Sequence, residues 1–111
     1  MKAEFTLEEG PAPASGPPEV RVLRVGGEID TTNAAEFEEA VIGRSSPGRL
    51  VLDLTSVLYC DSAAFAALDR VLAQGRTAVA LGGDNPVRRA ASIMGLAFHD
   101  TVELAVRSLA G

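Results

Sequence analysis

The 111-residue chain has one lysine, one histidine, one cysteine, one tyrosine and no tryptophan. Each scarcity excludes a class of chemistry. A lone Cys60 cannot close an internal disulfide, and with His99 as the sole imidazole no zinc site of the usual Cys and His spacing can be assembled. Lys2 stands near the start with no glycine-rich loop before it, so a phosphate-loop nucleotidase is ruled out. A Ser-His-Asp hydrolase would have to recruit His99, and no G-x-S-x-G elbow surrounds Ser62; His99 is expected in a turn. Cys60 is expected to be a small buried apolar residue rather than a nucleophile. No metal, cofactor or catalytic residue is therefore assigned.

Positive charge is equally sparse. The net charge is −5 with a pI near 4.8, and only Arg88 and Arg89 are adjacent, so the clustered cations that nucleic-acid binding needs are missing. The Arg88–Arg89 face is expected to be solvated. No apolar run approaches the ~20 residues that span a bilayer, and the first residues lack a basic-then-apolar signal pattern. The expectation is a cytoplasmic protein with no membrane partner. Hydrophobic content of 47% and charged content of 23% suit a single domain over 1–111 with one core.

The most informative stretch is Arg49–Leu72, RLVLDLTSVLYCDSAAFAALDRVL. Leu50, Val51, Leu52 and Leu54 are too continuous for a half-exposed strand, so the spacing predicts a strand over 50–54 buried on both faces. From Ser62 the period becomes helical, with Phe65, Leu68 and Leu72 on one face to about Gln74 and Gly75 as the stop. Asp61 or Ser62 is then the N-cap. Two roles for Ser62 stay open: a hydroxyl capping the helix, or a phosphate acceptor at a helix end whose N–H groups and dipole tolerate phosphate.

Elsewhere, Ala3–Glu8 alternates weakly as an edge strand, and Gly10–Pro18, GPAPASGPP, is read as a flexible connector. Val20–Val25 reads as a strand that Gly26 and Gly27 bring to a bend. Asn33 and Glu36 have capping-box spacing before a helix with Phe37, Ala40 and Val41 inside, closed by Gly43–Gly48. Thr77–Leu81 is a strand. Asn85 and Pro86 then start a helix with Val87, Ala90, Ala91 and Met94 on its inner face, ending at Gly95. Residues 96–98, a short strand or a plain connection, precede a last helix, capped from Asp100 and Glu103, with Val102, Ala105, Val106 and Leu109 inside. This order predicts an α/β fold: a small mixed sheet with parallel neighbours and about four α-helices. The loops at the carboxyl ends of its strands, Gly27–Asp30, Asp61–Ser62 and Gly83–Pro86, should share one edge, the expected working surface.

Three segments carry a family resemblance: GEID at Gly27–Asp30, VLDLTSVLYCDS at Val51–Ser62 and NPVRRAASIMGL at Asn85–Leu96. Their order resembles that of the STAS domain, and more narrowly of bacterial anti-sigma factor antagonists, over Val20 to about Leu109. The resemblance implies a non-catalytic binding protein, monomeric when free. Its unphosphorylated form would bind an anti-sigma factor that is also a serine kinase, and so free a sigma factor. Phosphorylation would end the binding and a phosphatase would restore it. Ser62 matches the phosphoacceptor, Asp61 the preceding carboxylate and Asp30 the acidic end of the GEID loop. Gly27, Glu28, Asp30, Asp61, Ser62, Phe65 and Asn85 are the implied partner-binding residues. Ala63 and Ala64 depart from the usual Ser/Thr-Gly after the serine. A receiver-like phosphotransfer domain would need paired acids after its first strand and a late lysine, which is lacking. The remaining alternative is a STAS scaffold subunit of a transport or stress-signalling assembly, with Ser62 only a helix cap.

Overall fold

A computed structural model of the chain describes residues 2–11, 19–45 and 48–110. In chain order the elements are β1 (Phe5–Glu9), β2 (Val20–Ile29), α1 (Ala34–Ser45), β3 (Arg49–Cys60), α2 (Ser62–Leu72), β4 (Thr77–Ala80), α3 (Pro86–Met94) and α4 (Val102–Ala110). The four strands form one sheet in the order β1-β2-β3-β4, with β1 antiparallel to β2 and the other neighbours parallel. Most of the connector expected at Gly10–Pro18 lies outside the described residues, as do Ser46 and Pro47 of the segment expected to close α1.

Successive strand residues face opposite sides, and both sides are covered. Leu50, Leu52 and Leu54 join Leu23 and Val25 in a core shared with Phe37 and Val41 of α1, Phe65 and Leu68 of α2, and Val87 and Ala91 of α3. Val51 faces the other way, into a smaller core with Val20, Val22, Ala78 and Ala80 under Ala105 and Val106 of α4. The unbroken apolar run at 50–52 is the sequence trace of this double coverage.

Two strands run further than their sequence patterns predict. β2 continues to Ile29 and β3 to Cys60, and their register slips between Arg24 and Gly26 and again between Gly27 and Glu28, adding residues on β3. Such bulges absorb unmatched residues without ending the pairing. Gly26 and Gly27 do not terminate β2. Gly27 has φ +86°, and a Cβ there would run into the Glu4 carbonyl, which instead accepts the Glu28 N–H at 2.8 Å. The glycines thus admit β1 against β2.

Several boundaries also differ. α1 runs through Gly43 to Ser45, where closure was expected. The Asn33–Glu36 capping box does not form. Asn33 is buried, its Oδ1 accepts the Asp30 N–H at 2.9 Å, and its Nδ2 donates to the carbonyls of Ala3 and Glu28. At α4 the Thr101 hydroxyl accepts the Leu104 N–H, displacing the expected Asp100 cap. His99 does not sit in a free turn. It pairs with Ala80, its N–H donating to the Val79 carbonyl and its carbonyl accepting from Leu81. Arg88 is not a solvated cation: it bonds the Leu81 carbonyl, pairs with Asp100 at 2.6 Å and lies over the Phe98 ring.

Candidate functional site

β3 outruns β4, which pairs only with Leu50–Asp53, so among the described residues the last seven of β3 have no strand on that side. Asn85 replaces it in part. Its Nδ2 lies 2.9, 2.7 and 3.0 Å from the carbonyl oxygens of Leu54, Thr55 and Val57, while its Oδ1 caps α3 by accepting the Val87 N–H at 2.6 Å. With this support β3 carries Asp61 and Ser62 to the end of β2, where the Asp61 N–H donates to the Ile29 carbonyl.

Asp61 is the N-cap of α2. Its Oδ1 accepts the Ala64 N–H at 3.0 Å, while Oδ2 accepts the Thr31 N–H at 3.0 Å and the Thr31 hydroxyl at 3.2 Å. One carboxylate therefore starts α2 and binds the loop between β2 and α1. Burial alone would raise its pKa, but bonds from the N–H groups of Ala64 and Thr31, the Thr31 hydroxyl and the Ala63 N–H outweigh that and hold it below the ordinary 3.8. Asp30 bonds within its own loop, one oxygen accepting from the Thr32 N–H and hydroxyl.

The N-cap left open between Asp61 and Ser62 is thereby assigned. Asp61 caps the helix, and Ser62 is its first residue, exposed, with a hydroxyl that bonds no other described residue. Cys60, just before, is buried; burial and then the neighbouring Asp61 charge push its thiol up to about 12, which keeps it protonated and unreactive.

Of the residues expected to bind a partner, Asp30, Asp61 and Ser62 gather at the carboxyl edge of the sheet. Gly27 and Glu28 enter through backbone contacts to β1 and Asn33. Two expectations need correction. Phe65 is 3% exposed and packs in the main core, because it lies on the inner face of α2; it supports the surface from beneath. Asn85 has its side-chain groups engaged with β3 and α3, so its role is to hold the edge together.

The sequence reading missed Leu58 and Tyr59. They are 66% and 53% exposed and immediately precede the Cys60-Asp61-Ser62 step. Leu58 falls at the second register slip, where Gly27 pairs with Val57 and Glu28 with Tyr59, leaving it unmatched and turned outward. The available signal was a run of apolar residues too long for the core predicted over 50–54. Among the described residues there is no group of three or more side chains able to hold a metal ion, and no helix long and apolar enough to cross a membrane.

The mixed sheet with α1, α2 and α3 on one face and α4 on the other has a known counterpart. The STAS domain family model matches residues 12–108, and the chain belongs to that family. An anti-sigma factor antagonist from Mycobacterium paratuberculosis is 24% identical, with a TM-score of 0.73 over 96% of this chain and 94% of its own. The anti-sigma factor antagonist SpoIIAA in its unphosphorylated form is 18% identical, with a TM-score of 0.53 over 95% of this chain and 96% of its own. A STAS-domain antagonist from Rhodobacter sphaeroides is 22% identical, with a TM-score of 0.52 over 69% of this chain and 84% of its own. At these identities the likeness is one of fold.

Proposed function

We propose that this STAS protein is an anti-sigma factor antagonist without catalytic activity of its own, which binds a serine-kinase anti-sigma factor and is switched off by phosphorylation of Ser62. The observation that carries the reading is the division of labour at the start of α2. Asp61 does the capping, so the exposed Ser62 hydroxyl is free for modification without loss of the helix end. A phosphate there meets the N-terminal end of α2, which favours it locally. Against a docked partner the same group adds about −1.5 to −2 charge next to ionised Asp61, and repulsion with desolvation opposes a close-packed interface. The surface supporting that interface comprises Asp30, Asp61, Ser62 and the exposed Leu58 and Tyr59.

The test is copurification from native lysate with this chain as bait, with and without ATP, followed by intact-mass analysis and peptide mapping. Recovery of a serine-kinase anti-sigma factor and a phosphate increment on Ser62 are expected. Ser62→Asp should weaken the complex about tenfold or more, equivalent to ~1.4 kcal/mol, and Ser62→Ala should bind but escape regulation. Wild-type affinity in the Ser62→Asp variant sinks the charge switch. Capture of transport components with unmodified Ser62 favours the scaffold role.

A further inference from the structure

We infer that Thr31 is a positioning residue for modification of Ser62: by holding Asp61 from the β2–α1 loop, it fixes the direction in which the Ser62 hydroxyl leaves the start of α2. The inference rests on the function proposed above. Asp61 is held at four places. Its N–H donates to the Ile29 carbonyl, its carbonyl accepts the Phe65 N–H, Oδ1 accepts from Ala64, and Oδ2 accepts both donors of Thr31. The first three belong to the sheet and to α2 itself. Among the described residues, Thr31 alone ties the Asp61 carboxylate to the β2–α1 loop through a side chain.

The Thr31 side chain is exposed, and its hydroxyl donates to Asp61, the residue preceding Ser62. Its neighbour Thr32 turns the other way, to Asp30. With Thr31 in place both carboxylate oxygens are engaged, and the exposed Ser62 hydroxyl bonds no other described residue. Without the Thr31 hydroxyl, Oδ2 keeps only a backbone donor, and the carboxylate gains freedom to turn toward its neighbouring serine. Transfer moves the γ-phosphoryl group of ATP onto Ser62 Oγ. The O–P bond to Ser62 forms, the bond to the β,γ-bridging oxygen breaks, ADP leaves, and the hydroxyl proton passes to a base of the kinase. A misdirected hydroxyl slows that step within the bound complex rather than weakening the complex.

The experiment is steady-state phosphorylation of wild type, Thr31→Val, Thr31→Ala and Thr31→Ser by the kinase recovered with the bait, with ATP, read by phosphate on Ser62. Thr31→Val and Thr31→Ala should lose about tenfold in kcat with KM for this chain changed less than about twofold, and Thr31→Ser should return to within about threefold of wild type. Thr31 is exposed, so unchanged amide spectra should confirm that all variants fold. Wild-type kcat in both removal variants, a loss confined to KM, or failure of serine to rescue overturns the inference while leaving the proposed function standing. A wild-type chain that takes no phosphate at Ser62 overturns both.

Discussion

Asn85 offers the sharpest test of how the fold holds up its working edge. Its side chain caps α3 and fills in for the strand that β4 does not supply beside Leu54, Thr55 and Val57. Losing the cap costs about 1 kcal/mol. The Nδ2 group has two protons for its three carbonyl acceptors, so two net hydrogen bonds at about 0.5–1.5 kcal/mol each add roughly 1–3 kcal/mol. Asn85→Ala should thus destabilise the protein by about 2–4 kcal/mol. With a urea m-value of about 1.5–2 kcal/mol/M, the unfolding midpoint should fall by roughly 1–3 M. Asn85→Asp separates the two functions. It retains an acceptor for the Val87 N–H but sets an anionic oxygen against three carbonyl oxygens, and should be no more stable than the alanine variant. Paired urea titrations at neutral pH check this. A loss under about 0.5 kcal/mol in Asn85→Ala, or wild-type stability in Asn85→Asp, would refute the idea that this amide supports the overhang of β3.

The Asp61 carboxyl should titrate below 3.8 when its side-chain carbon is followed by NMR. A folded-state value below the unfolded one means that its contribution to stability is complete above the ordinary carboxylate range and is lost as pH falls through the lowered value. A midpoint at or above 3.8 contradicts the four hydrogen bonds assigned to it. Leu58→Ala and Tyr59→Ala should leave urea stability within about 0.5 kcal/mol, because both side chains are largely in solvent, yet each should weaken the proposed complex with an anti-sigma factor by about 1–2 kcal/mol in calorimetry. Unchanged affinity in both variants would remove them from the interface.

Much of this protein was legible in local pattern. The double-sided burial of β3 was visible in Leu50–Leu54, because two cores leave no polar alternation. The start and stop of α3 were visible in Asn85, Pro86 and Gly95, because a cap, a fixed φ and a left-handed exit are properties of single residues; Gly95 has φ +77°. The inner faces of α2 and α4 followed from helical spacing. What only the tertiary structure decided depends on contacts between residues distant in the chain. The length of β3 beyond Leu54 is set by pairing with β2 through two bulges and by an amide about thirty positions later. Asn33 gives up its expected cap because burial places its amide among the carbonyls of Ala3 and Glu28 and the N–H of Asp30. Sequence spacing could place either Asp61 or Ser62 at the cap. The tertiary contacts decide it: Asp61 Oδ1 accepts the Ala64 N–H at the head of α2, Oδ2 accepts from Thr31, thirty residues upstream, and the Ser62 hydroxyl stays exposed.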